Sequence, residues 1–404
     1  MKIKNIYIGS WFPKIRIHLD EFKAFLDSAA VHPALDSKMA AALKKKLNPE
    51  KVNLYLSKQD MAVVCAHSDK GYEYLYQEDG LLFLKREIKD FKKDKKQIVD
   101  FYQNTLSPCL AFLFSRGAGG LEIIRTPKLP KRLFLCTEKE TKASILKFLK
   151  SENEKLDKNY DFGTFEIYYS DNLVILNALG KISEHIIDEL SQELIFLSEL
   201  NRHLYWLVQN HRLIWDDTEK ILSSRFIKNV DIPLYIDKLT EYSKNVSNIN
   251  ARIDQIMVVL KTRNQTVENI TRGKWQNYFA NKLKKSNQEA AYIKNLFDMT
   301  SGFIKSNTSY LNSLYRQNQR EAMNKLQMLF LVSVVVSFIS LGTIMGAGFE
   351  VFQDGKLLLQ GELSSYSVPV LIAFGLLTII LSGVIYFLWN YTYKNLSKKF
   401  KKQV

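Results

Sequence analysis

Four hydroxyl-bearing residues, Ser333, Ser337, Ser340 and Thr343, recur at spacings of four and three within a run that carries no charge. On a helix that spacing confines them to about 120° of circumference, so their hydroxyls form one stripe. Such a stripe can line a narrow, weakly polar pore, and small hydroxylated residues equally mediate helix packing in membranes. A second cluster, Ser115-Arg116-Gly117-Ala118-Gly119-Gly120, sets consecutive backbone N–H groups beside a guanidinium, as a phosphate cradle requires. It lacks the lysine and hydroxyl spacing of a P-loop and the spacing of a dinucleotide fingerprint, so an ordinary tight turn competes with the ligand reading. The third group is Arg202, His203, His211 and Arg212 around Tyr205, Trp206 and Trp215. These residues form either an anion-binding pocket between subunits or a set of core and interface aromatics.

Nothing points to an enzyme. The histidines (His18, His32, His67, His185, His203, His211) show no metal-ligand spacing, and neither HExxH nor GxSxG occurs. Cys65-Ala66-His67 is isolated on a predicted strand. The three cysteines, Cys65, Cys109 and Cys136, are too few and too scattered for a disulfide framework or a zinc site, which fits a reducing compartment. No cofactor is expected, and Mg²⁺ or a nucleotide is the candidate ligand. A net charge of +15 implies a negatively charged partner: nucleic acid, lipid headgroups or an anionic small molecule.

The apolar segments favour lipid over direct nucleic-acid contact. From Met328 to Phe349 about 22 residues carry no charge, enough at about 1.5 Å each to span a hydrocarbon core of about 30 Å. A second uncharged run extends from Val368 to Tyr393, with Pro369 in a tolerated first-turn position and Tyr386, Trp389, Tyr391 and Tyr393 as an aromatic belt. Arg316, Arg320 and Lys325 precede the first run, and Lys394, Lys398, Lys399, Lys401 and Lys402 follow the second. The connection between them carries Glu350, Asp354 and Glu362 against Lys356. Cations are retained on the cytoplasmic side, so both termini are expected inside and the acidic loop outside. The N-terminus has no signal-peptide pattern, which leaves the first domain in the cytosol of a multi-pass protein of the inner (plasma) membrane.

The elements that must position these residues follow from periodicity. Ile3 to Ile8, Val52 to Leu56, Met61 to Ala66, Leu81 to Leu84, Arg132 to Cys136 and Phe165 to Leu176 read as strands, with turn signals at Asp69 to Gly71 and Asp79-Gly80. Leu19 to Ala30, Ser37 to Leu47, Glu87 to Phe114 and Thr141 to Lys155 have helical spacing. After Ile182 the pattern is helical only, divided at Pro233. Val246, Ile249, Ile253, Ile256, Leu260, Val267 and Ile270 form a heptad seam interrupted at Arg263, which antiparallel pairing with the preceding helix would bury. From about Trp275 a single helix of about 70 residues, about 105 Å, can run through Gly302 into the first apolar run. A break at Gly302 is the alternative. A helix that long packs poorly in one small monomer, which implies an oligomer bundled about an axis.

Two C-terminal apolar helices, a very long helix feeding the first, an α/β domain ahead of it, a short acidic loop and a lysine-rich tail together resemble the CorA family. Met323-Asn324-Lys325-Leu326-Gln327 is similar to that family's Met-Lys-x-Leu-Thr at the start of the first membrane helix. The family's Gly-Met-Asn followed by an aromatic corresponds here to Gly346-Ala347-Gly348-Phe349, which lacks the asparagine. The resemblance implies a funnel-shaped pentamer in which Ser333, Ser337, Ser340 and Thr343 face the five-fold axis. The mouth would be formed by Gly346 to Phe349 with Glu350 and Asp354, and Lys398, Lys399, Lys401 and Lys402 would form a basic collar. Without the asparagine carboxamides that hold hydrated Mg²⁺ in the family, the mouth is expected to discriminate poorly among cations. Some divergent members of the family that this chain resembles occur beside type III CRISPR systems as membrane effectors gated by a nucleotide-based second messenger, and the lost motif makes that subgroup a natural candidate.

The fold class expected is an α+β membrane protein. The expected divisions are an α/β cytosolic domain over 1–182, a helical hairpin over 183–274, a stalk helix over 275–327, membrane helices over 328–349 and 368–393 flanking a loop over 350–367, and a basic tail over 394–404. The function expected is a homo-oligomeric ion channel gated through its cytosolic domain. The alternatives are a magnesium/cobalt-type transporter and a membrane-anchored coiled-coil scaffold.

Overall fold

In the computed structural model of the chain, the described residues are 1–12, 18–56, 61–115, 130, 132–180, 182–223, 227–270, 274–350 and 383. The chain divides into two compact units: Met1–Arg225 with Asp237–Asn307, and Phe226–Ile236 with the chain from Thr308 onward. Together they make an α+β chain with a large N-terminal sheet and long C-terminal helices.

The first unit is built on one nine-stranded sheet, in the order β2-β3-β4-β5-β1-β6-β9-β8-β7. Its strands are β1 (Ile3–Trp11), β2 (Pro49–Leu56), β3 (Ala62–Ser68), β4 (Tyr72–Gln77), β5 (Leu81–Glu87), β6 (Leu133–Glu138), β7 (Lys158–Asp161), β8 (Phe165–Tyr169) and β9 (Leu173–Ala178). All neighbours pair antiparallel except β6 and β9, which run parallel from Leu133↔Leu173 to Glu138↔Ala178. Alternation along β1 divides the sheet faces. Ile6 and Ile8 enter a core shared with α1 (Leu19–Ser28), α2 (Ser37–Leu47), α3 (Phe91–Phe101), α4 (Ser107–Phe114) and α5 (Lys142–Ser151). Tyr7 and Trp11 face α6 (Glu184–Ser223) instead, through a 3.0 Å bond from Tyr7 Oη to Asp188 and ring contact between Trp11 and Phe196.

Several expected elements differ. Phe165 to Leu176 is two strands, because Ser170 turns the chain by bonding Leu173 through both its N–H and its hydroxyl. The helix expected from Glu87 starts at Phe91, since Glu87 completes β5 and the Asp90 carboxylate caps the Lys92 and Lys93 N–H groups. Its middle widens into a π turn at Tyr102–Leu106, just before Pro108, which has no N–H to give. The helix expected to reach Lys155 ends at Ser151. β4 lies between the two turn signals, and β7 is short and polar; neither was expected.

Two further helices follow, α7 (Ile232–Ile270) and α8 (Lys274–Glu350), which belong to the first unit over 237–270 and 274–307. Contacts of α6 with α7 run antiparallel, Glu193 to Arg263 and Asp217 to Tyr242. The pair Asn250 and Asp298 shows α7 and α8 antiparallel as well when taken with Asp254 and Lys294. The seam is buried at Val246, Ile249, Ile253, Ile256 and Leu260, whereas the side chains of Val267 and Ile270 lie outside the described set. Arg263, the interruption, is itself 1% exposed. α8 runs through Gly302 without a break.

In the second unit, Asn318 on α8 donates to the Asn229 side chain at 2.5 Å. Beyond Leu311 none of the described side chains of α8 is buried.

Candidate functional site: a basic cleft walled by tyrosines

Within the first unit, the β7–β8 hairpin, α6 and the first turns of α8 enclose a cleft of about 260 Å³. On α8, Tyr278, Lys282, Lys285 and Glu289 recur at three and four residues, so one stripe of that helix faces the cleft. The adjoining stripe, Phe279, Leu283, Ala290 and Ile293, lies roughly a quarter-turn round the helix, is buried, and fixes the rotation of the helix. Leu194, Leu197, Ser198 and Asn201 of α6 form one side.

Cations outnumber anions on the walls: Arg132, Lys158, Lys282 and Lys285 against Asp157 and Glu289. Arg132, Lys282 and Lys285 are placed by local contacts. The Arg132 guanidinium sits 5.8 Å from the Tyr169 ring, and its Nε donates to the Asp171 carbonyl at 3.3 Å. The Lys282 amine is 5.5 Å from the Tyr278 ring one turn before it. Lys285 pairs with Glu289 at 3.7 Å. Tyr160 packs on Tyr278 with ring centroids 4.8 Å apart, and the Tyr169 and Tyr278 hydroxyls are 3.4 Å apart. Burial pushes the Tyr169 phenol up to about 12 and raises Tyr278 as well. Both therefore stay protonated at neutral pH, and the one that accepts in their mutual bond keeps its proton to donate to an anion. Cations beside flat π faces suit an anionic ligand that also carries a planar ring.

None of these residues stood out in the sequence, because they come from four separate stretches. The expected ligand residues go elsewhere. Arg202 pairs with Glu199, which is 2% exposed. His203 Nε2 bonds the Trp11 carbonyl oxygen at 2.8 Å, and burial depresses the imidazole to about 4, so it is neutral at pH 7. Arg212 is exposed on α6. Arg116, Gly117, Gly119 and Gly120 lie outside the described residues.

The expected pore residues lie on α8. Ser333, Ser337 and Ser340 each donate to the carbonyl four residues back, at 2.9, 2.8 and 2.9 Å, which satisfies the hydroxyl donors within the helix. Thr343, Gly346, Ala347, Gly348, Phe349 and Glu350 continue the helical backbone, and their side chains are outside the described set. Asp354, Lys398, Lys399, Lys401, Lys402 and the second apolar run apart from Gly383 lie outside the described residues. Phe330 is 72% exposed, Leu331 60% and Ile339 62%, and no described side chain from Met328 to Ser340 is buried. Among the described residues no helix is long and apolar enough to cross a membrane. Side chains of the first run are described only to Ser340, about 20 Å of helix against a hydrocarbon core of about 30 Å.

No protein family matches the chain by sequence, and no curated protein does. Among solved structures the chain is similar to the CorA magnesium transporter from Methanocaldococcus jannaschii, at 14% identity and a TM-score of 0.29, over 68% of this chain and 93% of that one. It is also similar to the full-length CmaX protein, at 12% identity and a TM-score of 0.18, over 69% and 93%. Both scores lie below the level that shows a common fold.

Proposed function

We propose that the chain is a CorA-like homo-oligomeric membrane ion channel with a degenerate selectivity motif, gated through its sheet domain by an anionic, nucleotide-type ligand. One observation carries this reading: α8 begins in the wall of the basic cleft and continues unbroken into an uncharged run in which, among the described residues, the large apolar side chains Phe330, Leu331, Val335 and Ile339 are exposed. Apolar surface of that extent requires lipid or other copies around it. A helix that joins a ligand cleft to such a run can pass a displacement along its axis, because backbone hydrogen bonds make it stiff.

The hydroxyl stripe favours a weakly polar pore lining over a plain anchor. With Gly348 where the family carries asparagine, little cation discrimination is expected. A second messenger of a CRISPR-associated antiviral response is the ligand class that the resemblance suggests for the cleft.

The test is flux through the purified protein in liposomes, following Mg²⁺ and a monovalent cation in parallel with and without nucleotides. Non-selective flux that appears only with a nucleotide is expected. Selective Mg²⁺ uptake would move the assignment to a divalent-cation transporter, and absence of flux with a monomeric or dimeric detergent mass would move it to a membrane-anchored scaffold.

A further inference from the structure

The β3–β4 hairpin brings together three metal-ligating side chains that are distributed over two strands. Residues two apart on a strand point to one face, so Cys65 and His67 share a side of the sheet. Their intervening neighbours, Val64 and Ala66, point into the main core on the other side. Glu73 is the register partner of His67 on β4, which sets its carboxylate beside the imidazole on the same face as Cys65. The thiol sulfur, a ring nitrogen and a carboxylate oxygen all lie within 4.8 Å of one another. Cys65 Sγ is 3.9 Å from Glu73 Oε1.

We propose that Cys65, His67 and Glu73 form a site for a borderline divalent transition-metal ion of the Zn²⁺ class, with water completing the coordination shell. One sulfur, one nitrogen and one oxygen ligand are a set that Zn²⁺ and Co²⁺ accept; Mg²⁺ and Ca²⁺ take oxygen ligands and are disfavoured by a thiolate. Zinc–ligand distances of about 2.0–2.3 Å require the three atoms to draw closer than they stand here. His67 and Glu73 are half-buried, so rotamer adjustment at these two positions supplies that closure while the strands stay paired. Metal binding exchanges the Cys65 S–H bond for a metal–sulfur bond and releases the proton to solvent. The site is remote in sequence from every residue of the tyrosine-walled cleft, and it does not depend on the channel reading.

The experiment is titration of untagged, reduced full-length protein with Co²⁺, read as near-ultraviolet thiolate-to-cobalt absorption, followed by displacement with Zn²⁺. One equivalent of absorbing Co²⁺ is expected, displaced by Zn²⁺ and undisturbed by a large excess of Mg²⁺. Cys65→Ser should abolish the band, whereas Cys109→Ser and Cys136→Ser should keep it. His67→Gln and Glu73→Gln, at half-buried positions where folding tolerates the change, should each weaken Co²⁺ binding by roughly tenfold or more. Wild-type protein without the band, or a band that survives Cys65→Ser, would overturn the site.

Discussion

Arg263 Nη1 and Glu193 Oε1 meet at 2.5 Å between α7 and α6, and both side chains are removed from water. The same guanidinium donates to Asp79 Oδ2 through Nε at 2.5 Å and to Gln77 Oε1 at 2.9 Å, while its plane lies 4.1 Å from the Phe196 ring. Asp79 also accepts the Leu81 N–H and, through its carbonyl, the Trp11 indole N–H. One buried cation thus fastens the β4–β5 turn, α6 and α7 together. Charges buried this way cost several kcal/mol each in desolvation, so the cluster is a strong locator of register and a fragile one.

Arg263→Ala is expected to destabilise the first unit by about 3–5 kcal/mol, because Asp79 and Glu193 are left facing each other without a cation. Adding Glu193→Gln should recover part of that loss. Denaturation of full-length protein followed by tryptophan fluorescence reads both; strictly additive losses would contradict the coupling.

His203 predicts an acid dependence. Its folded pKa of about 4 lies below the unfolded value near 6.5. The unfolded state therefore binds the proton first, and stability is full above about pH 6.5 and falls progressively toward pH 4. The contribution is on the order of 3 kcal/mol. In His203→Gln the slope of stability over that window should flatten, and an unchanged slope would assign the acid sensitivity to other groups.

Gly9 is where β1 lets α6 approach. A Cβ there would stand 2.5 Å from the Leu82 carbonyl oxygen and 2.8 Å from Ile195 Cγ2. Gly9→Ala should cost about 1–3 kcal/mol as the helix is displaced from the sheet. A melting temperature equal to wild type would show that the contact yields.

Lys282→Glu in the cleft should weaken binding of ATP, used as a probe anion, by roughly tenfold or more, equivalent to about 1.4 kcal/mol. Lys45→Glu, an exposed reversal on α2, is the control for general charge. Equal effects of the two would dissolve the cleft assignment.

Ser337→Leu is expected to abolish conduction in liposomes without changing the oligomeric mass in detergent. Ion flux that persists unchanged would remove the hydroxyl stripe from the pore.

The chain's sequence by itself determined most helices. A period of three to four is a local signal, so Ser37–Leu47 and the seam from Val246 to Leu260 could be read from neighbours alone, whereas the choice between a continuous α8 and a break at Gly302 was made by the structure. The turns at Asp69 to Gly71 and Asp79-Gly80 were legible because glycine accepts positive φ, which Gly71 and Gly80 adopt. The alternating tyrosines Tyr72, Tyr74 and Tyr76 between those turns are a signal that could have disclosed β4. Nothing local marks the polar β7. Only the tertiary structure decided the sheet order, the parallel pairing of β6 with β9, and the partners of Arg263, which appeared along the chain as a flaw in a seam. It also decided the cleft and the Cys65–His67–Glu73 cluster. The physical reason is common to all of them: each depends on which distant segments are brought side by side, and hydrophobic periodicity specifies a buried face without specifying what covers it.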